Sequence, residues 1–328
     1  MPTKFLRNRF FGREFTFATP HVDIDLVMPK RGMAPFVHPS LPGKATASQG
    51  FTMKTYVPPT LKPNKIITPE HLGTRLPGAT IYDESPDVQL ALASLIGERI
   101  AEINDEIAFR CEWMAAQALF TGSIPVVGEG YNQTIDFGLL NTHNITLLNA
   151  AKWDQNTSTP WTDLQSACRL NRDDGQVVSD TAVFGSNAWA LFRDWLSTEA
   201  NKKYLDMVNM QLGMVSPTPV DKYTTYCGTI RDADMVLDLF TYSAQYLDGA
   251  DNMQPYVPAD EVFIGSTQAT GNQELYGGIQ SLYVPSGKTK LFIDSQAKKN
   301  PESIEILPQS KPLITLLEPK AGTRIKVK

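Results

Sequence analysis

The sequence predicts an α+β fold, because one long helical stretch lies between extended ones. Residues 85–121 carry an unbroken helical repeat of apolar side chains. Residues 21–69 instead alternate or are rich in proline, and the last 30 residues are again extended. At 328 residues and 42% hydrophobic composition, the chain can bury one large domain or two ordinary ones.

The N-terminal segment is basic and aromatic. Residues 1–50 hold seven Lys/Arg and three Asp/Glu, which gives +4, and subtracting this from the formal net charge of −5 leaves −9 on residues 51–328. Such an arm is a solvated tail, a partner-docking arm or a nucleic-acid-binding arm. Docking is favoured over nucleic-acid binding because an aromatic tail without a surface to cover would be sticky. The aromatic residues interleaved with the charges are Phe5, Phe10, Phe11, Phe15 and Phe17.

Two further features limit the class of protein. No run of about 18 apolar residues and no secretory leader is recognisable, so we expect the chain to stay in the cytoplasm where it is made. Cys111, Cys168 and Cys227 are odd in number and widely spaced, which argues against a disulfide framework and a zinc site. We expect them to be buried thiols.

The stretch HVDIDLVMPKRGMAPFVHP, residues 21–39, predicts a strand, a turn and a second extended piece. The strand would place His21, Asp23 and Asp25 on one face, where they could hold a cation. Two carboxylates and one imidazole without another ligand motif favour an ordinary surface face. Residues 50–69 follow with four prolines and no helical period, and they indicate either an irregular connection or a projecting two-armed loop with arms of about 33 Å.

A strong helix is predicted from Ser85 to Thr121. Ser85 is a suitable N-cap, Pro86 suits the first helical position and Gly122 ends the helix. At about 1.5 Å per residue the helix would be about 50 Å long, comparable to the diameter of a compact globule of this size. Its polar face contains Glu98, Glu102, Asp105, Glu106 and Arg110, with Glu106 and Arg110 spaced to pair.

The second half of the chain mixes helices and strands. A change in composition at WDQNTSTPW, residues 153–161, is the best candidate domain boundary. The stretch SNAWALFRDWLS predicts a helix, and MVLDLFTYSAQYLDGADNMQPYVPADEVFIG predicts strands around a turn that contains Asp-Gly.

The sequence nominates no catalytic, cofactor or metal residues. It contains no nucleophile elbow, no zinc-protease motif and no dinucleotide fingerprint. SGKTK at 286–290 lacks the earlier glycine of a phosphate loop and precedes a strand. Paired carboxylates on the long helix could serve glycan cleavage, but a solvated helix face explains them better. We therefore expect a protein that is not an enzyme.

Several phrases in order resemble the lambda-type (family E) major capsid proteins of tailed bacteriophages. The resemblance runs over nearly the whole chain and depends on the order of many weak matches. Besides the long acidic helix, the phrases are FLRNRFFGREFTFAT, MAPFV, YVPPTLKPNKIITP, AWALFRDW, YVPADEVFIGSTQATGNQELYGGIQ and SKPLITLLEPKAGTRIKV.

This resemblance implies the Hong Kong 97-type phage capsid fold, with an N-arm, an E-loop, a peripheral domain with a long spine helix, and an axial domain. Carried onto this sequence, the expected division is residues 1–44 for the arm and first strand, 45–80 for the E-loop, 81–155 for the peripheral domain with its spine helix at 85–121, 156–299 for the axial domain, and 300–328 for a return to the peripheral domain.

The implied function is a major capsid protein that self-assembles, as hexamers and pentamers, into an icosahedral head shell around double-stranded DNA without sequence-specific binding. The shell would be part of the virion and would be assembled in the host bacterial cytoplasm. Implied partners are other copies, a portal protein and a decoration protein, with no membrane. The chain begins almost at once with the arm motif, so we expect a separate scaffolding protein.

The candidate assembly contacts follow from the arm, the loop and the helix. We expect the aromatic residues to be covered by neighbouring copies, so that Phe10 and Tyr56 lying in the chain's own interior would count against a shell. The candidates are Phe5, Phe10, Phe11, Phe51, Met53 and Tyr56 for apolar contacts, and Glu102, Glu106 and Arg110 for charge contacts.

Two alternatives remain open at this point. One is an encapsulin-like compartment of the same fold with protein cargo. The other is a phage-associated glycan hydrolase that would use Glu102 or Glu106.

Overall fold

The computed structural model describes residues 3–27, 33–43, 45, 51–73, 88–198, 201, 218–232, 235–249, 251–269, 271–282 and 287–328. The helices are α1 (Phe5–Phe10), α2 (Pro69–Gly73), α3 (Val88–Thr121), α4 (Pro160–Gly175) and α5 (Ser186–Ser197). The first strands are β1 (Arg13–Thr16), β2 (Val22–Val27), β3 (Phe51–Tyr56), β4 (Lys65–Ile67), β5 (Ser123–Gly128), β6 (Tyr131–Asp136), β7 (Asn144–Thr146), β8 (Thr181–Phe184) and β9 (Thr218–Asp221). The remaining strands are β10 (Thr224–Asp232), β11 (Met235–Tyr242), β12 (Gln245–Leu247), β13 (Met253–Pro255), β14 (Glu261–Gly265), β15 (Gln273–Tyr276), β16 (Phe292–Lys299), β17 (Glu302–Gln309), β18 (Pro312–Thr315) and β19 (Gly322–Lys326).

A seven-stranded mixed sheet organises the second half of the chain, in the order β7-β19-β14-β8-β11-β10-β9. In β8, Ala182 and Phe184 face a core built with α4 and α5, whereas Val183 faces a second core that includes α3. Both faces are therefore covered, which explains why β8 is a continuous apolar run rather than an alternating one.

The long helix α3 is the main element of the second core. Its 34 described residues correspond to about 51 Å. It ends at Thr121, as predicted, while the predicted start at Ser85 lies outside the described residues. The C-terminal half of α3, from Cys111 to Phe120, packs against α1, the β5–β6 hairpin and strand β18.

The N-terminal arm is built into the body of its own chain. Strand β1 pairs in parallel with β15, which pairs antiparallel with β18. Further along, the Gly278 N–H donates to the Thr19 carbonyl oxygen at 2.8 Å. The surface on which this arm docks is therefore supplied by its own chain for residues 3–19.

The two-armed loop lies earlier in the chain than predicted. Its arms are β2 and β3, which pair antiparallel from Val22 opposite Tyr56 to Val27 opposite Phe51. The predicted two-armed loop at 50–69 is therefore wrong in its bounds, since the strand at 22–27 supplies the first arm, and the E-loop bounds of 45–80 stay a prediction. Residues 57–67 instead follow the body, with Leu61 bridged to Ser310 and β4 paired with β17.

Residues 300–328, which we expect to return to the peripheral domain, divide among three sheets. Strand β17 pairs with β16 and β4, and Ile306 packs with Ile67, Leu95 and Ile103 against the first half of α3. Strand β19, however, lies in the seven-stranded sheet between β14 and β7. The last segment therefore joins both parts of the fold, and residues 144–146 precede the proposed boundary near 155 but belong to the same sheet.

Replacing Gly278 by alanine is expected to weaken the attachment of the arm. A Cβ at this position would lie 2.2 Å from the Ala18 carbonyl oxygen, so the backbone must move. We expect a loss of about 1–3 kcal/mol in the free energy of unfolding, measured by urea denaturation of the unassembled chain. The matched control is Gly97→Ala in α3, where a Cβ meets nothing within 4 Å and a gain of about 0.5–1 kcal/mol is expected. Equal effects at the two positions would contradict the steric argument.

Candidate assembly surface

A buried carboxylate in the middle of α3 holds the start of the arm. Glu112 has no exposed surface, and its Oε1 accepts from the Leu6 N–H at 2.9 Å while its Oε2 accepts from the Arg7 N–H at 3.2 Å. The Tyr242 hydroxyl donates to Oε1 at 2.9 Å. Burial raises the pKa of Glu112 to about 7, although these donors oppose the shift. One side chain thus joins the arm, the long helix and the seven-stranded sheet.

A second buried acid fixes the arm through Arg7. The guanidinium Nε of Arg7 donates to Glu274 Oε2, and the Tyr276 hydroxyl donates to Glu274 Oε1 at 2.5 Å. Arg7 also contacts Glu14, at 3.3 Å. Burial is the largest single influence and lowers the pKa of Arg7, but the neighbouring groups, led by the Glu274 carboxylate, together raise the pKa further, so the net direction is upward.

Phe10, Phe11 and Tyr56 lie in the chain's own core, so the expectation that neighbouring copies cover them is wrong, whereas Phe15 in the same arm is 47% exposed. Phe10 and Phe11 are only 4% and 1% exposed, and Phe5 packs against Phe240 with ring centroids 5.2 Å apart. Tyr56 is 9% exposed and packs against Phe137. The physical reason is that α1 is a helix, which places Leu6 and Phe10 on one face against α3. The condition that we set against a shell, burial of Phe10 and Tyr56 in the chain's own interior, is therefore met, so any contacts between copies must lie elsewhere.

The charged residues of α3 that we predicted as contacts between subunits have partners within the chain. Lys65 donates to Glu106 Oε1 at 2.5 Å and lies 3.5 Å from Glu102 Oε2, so the base of β4 is fixed to α3. The predicted pairing of Glu106 with Arg110 is replaced by a contact of the Arg110 guanidinium with the Trp113 ring, 5.1 Å from its centroid. An inter-subunit role for these charges stays a prediction.

One cluster of exposed apolar side chains lies in the connection between β2 and β3. We call residues 33–43 the knob. Phe36 is fully exposed, Met33 is 93% exposed and Leu41 is also exposed. On the adjoining stem Met53 is 61% exposed, whereas the side chain of Phe51 lies outside the described residues. The signal in the sequence was the phrase MAPFV, which we had interpreted as a second extended piece.

A cleft of about 510 Å³ opens beside α3. We call it the Trp113 cleft. Three elements form it: the proline-rich segment 59–62, α3 and the β5–β6 hairpin. Val127 on its wall is 78% exposed. Its lining includes Pro59, Leu61, Arg110, Trp113, Pro125, Val127 and Tyr131.

Substitution by alanine should lower the free energy of unfolding at Phe10 and leave it almost unchanged at Phe36. Phe10→Ala removes a core ring that packs edge-on against Phe263, so we expect a loss of about 3–5 kcal/mol in the free energy of unfolding. Phe36→Ala removes a fully exposed ring, so stability should change by less than about 0.5 kcal/mol. Urea denaturation of the unassembled chains checks both. Comparable losses would show that the knob is covered in the free chain.

The other candidate chemistry is accounted for by packing. Asp23 accepts a hydrogen bond from the Thr55 hydroxyl across the β2–β3 pair at 2.6 Å. Cys111 and Cys168 are buried and Cys227 is partly buried, close to the prediction. His143 is fully buried, with Nδ1 3.0 Å from the Thr323 hydroxyl. Among the described residues no group of three acids, histidines or cysteines could hold a metal ion, and no helix could cross a membrane.

Three comparisons relate this chain to known proteins. The family model described as "Phage major capsid protein E" matches residues 1–327. The major capsid protein of Enterobacteria phage phi80 is 27% identical over 97% of this chain and 92% of the relative, and that of Escherichia phage N15 is 28% identical with the same coverage. A crystal structure of a protein assigned as a prophage capsid protein in E. coli CFT073 superimposes with a TM-score of 0.74 at 19% identity, covering 98% of this chain and 92% of that one.

Proposed function

The chain belongs to the phage major capsid protein E family, and from this premise we propose how it builds its shell. It is the major capsid protein of a phage head shell, has the α+β Hong Kong 97-type fold, forms multimeric shells and is part of the virion. The observation that carries this conclusion is the match of one family model to residues 1–327.

We propose that hexamers and pentamers form the lattice and that the β2–β3 hairpin is the reaching element. The knob supports this, because an apolar surface that its own chain leaves uncovered marks an interaction site. In this assignment residues 3–19 hold the arm to its own chain and 22–56 correspond to the E-loop. The α3 region with β4, β16 and β17 forms the peripheral domain, and the seven-stranded sheet with α4 and α5 forms the axial domain.

The proposed partners beyond other copies are a separate scaffolding protein, a portal protein and a decoration protein, with assembly in the host bacterial cytoplasm. The enclosed double-stranded DNA is held without sequence-specific binding. The charge supports loose contact with DNA, because residues 51–328 carry a formal charge of −9 and neutralise few phosphates.

The two alternatives are weaker. The family is structural, and the Arg99 guanidinium beside Glu102 lowers the pKa of that carboxyl, whereas a glycosidase general acid needs a raised pKa. An encapsulin-like compartment is not favoured, because the curated relatives are phage major capsid proteins.

The test is electron microscopy of particles purified from cells that express the chain. We expect a closed icosahedral lattice in which this chain is the repeated subunit, with the β2–β3 hairpin lying over an adjacent copy. A particle that holds one copy of the chain would overturn the major-subunit role. A lattice in which the hairpin contacts only its own chain would overturn the proposed reaching element.

A further inference from the structure

We propose that the Trp113 cleft is the receptor for the knob of a second copy of this chain. This inference rests on the proposed function and goes beyond it, because it identifies both surfaces of one contact. The knob is the ligand and carries Met33, Phe36 and Leu41. The cleft is the receptor and carries Trp113 and Val127.

The knob has the properties of a preformed apolar ligand. Residues 33–43 contain no Asp, Glu, Lys or Arg. The Leu41 N–H donates to the His38 carbonyl oxygen at 2.9 Å, with Pro39 in the favoured second position of this turn, and the Ser40 hydroxyl lies 2.5 Å from His38 Nδ1. Such local order reduces the conformational entropy that binding would otherwise cost.

The Trp113 cleft has complementary chemistry. Prolines, Trp113 and Tyr131 line its interior, and an aromatic side chain anchored in such a pocket is the usual centre of binding energy at an interface. The Arg110 guanidinium lies over the Trp113 ring and holds it in place. The charged groups of the lining are Lys62, Arg110 and Glu129, which are exposed and suit a polar rim. At about 510 Å³ the cleft is within the range of volumes that bind compact ligands.

A second copy is the occupant that the fold favours. The knob side chains Met33 and Phe36 are almost wholly exposed, so they do not contact the cleft of their own chain. The stem strands β2 and β3 have six residues each, about 20 Å, and their base is fixed where Tyr56 meets Phe137. Each chain offers one ligand and one receptor, which is a heterologous interface that can close into a ring.

The test is disulfide trapping between two chains that each carry one introduced cysteine, while the native Cys111 and Cys168 stay buried. Phe36→Cys and Val127→Cys are made in separate chains that also carry Cys227→Ser, because Cys227 is the partly exposed native thiol. One chain carries a mass tag, and both are expressed together. After oxidation of the purified particles, we expect covalent dimers with one chain of each kind, which disappear on reduction. As a control, the chain with Phe36→Cys is expressed together with a chain that carries Leu282→Cys, a fully exposed position outside the cleft, and no mixed dimers should form.

Normal particles without mixed covalent dimers would overturn the inference. A disulfide within one unassembled chain that carries both Phe36→Cys and Val127→Cys would also overturn it, because the occupant would then be the chain's own knob. If chains with Phe36→Cys do not enter particles, Met33→Cys provides the same test. If the unmodified chain forms no particles at all, the proposed function fails instead.

Discussion

Replacing Glu274 by leucine is expected to reduce the free energy of unfolding by about 3–5 kcal/mol. The side chains of Glu274 and Arg7 are only 1% and 12% exposed, and their contact ties the arm to strand β15. Without Glu274 the guanidinium stays buried and keeps only the more exposed Glu14 as a carboxylate partner, at 3.3 Å. Urea denaturation of the unassembled chain measures the loss. Limited trypsin digestion should show faster cleavage in residues 3–16.

The matched control is the double variant with Arg7→Met and Glu274→Leu. Removing both charges leaves no buried ion, so the double variant should be far more stable than the sum of the two single losses implies. We expect a coupling energy of several kcal/mol from this cycle. Additive losses would show that the pair contributes no net interaction and that the arm is held by apolar packing alone.

The sequence predicts best the elements whose signals are local. Helix α3 has apolar residues at helical spacing and Gly122 at its end, and its C-terminus was predicted to the residue. The strands around the Asp-Gly turn are β12 and β13, where Leu247 pairs with Met253. Side-chain periodicity within one element determines both, so neither depends on knowing what packs against it.

The sequence cannot predict pairings that depend on distant partners. Strand β2 was recognised by its alternation, but its partner β3 lies 24 residues further on, so the hairpin was placed too late in the chain. The buried role of Glu112 was missed, since its donors at Leu6, Arg7 and Tyr242 lie more than 100 positions away. Without those donors an acid in this helix looks like one more polar residue. The arm aromatics were misjudged for the same reason, because their core is formed by α3 and strands of the second half.

The stability of the unassembled chain is expected to fall as pH rises from about 4.5 to 7. The pKa of Glu112 is about 7 in the folded chain, against 4.5 when exposed. Between these two pKa values the unfolded chain has released a proton that the folded chain still holds. The stability that is present below the unfolded pKa is therefore lost as the pH rises through the folded pKa. The size of the loss is on the order of 3 kcal/mol. Urea denaturation at closely spaced pH values measures it.

Glu112→Gln separates this effect from the titration of other groups. Glutamine keeps the shape of the protonated acid but has no proton to release. The decline in the free energy of unfolding between pH 5 and 7 should therefore become shallower, by at most the slope that one proton per chain contributes. The variant should match the unmodified chain near pH 5 to within about 1–3 kcal/mol, since one donor among Leu6, Arg7 and Tyr242 loses its acceptor. An unchanged pH slope in Glu112→Gln would show that Glu112 is already ionised when the arm is docked. The three donors, rather than burial, would then control its charge.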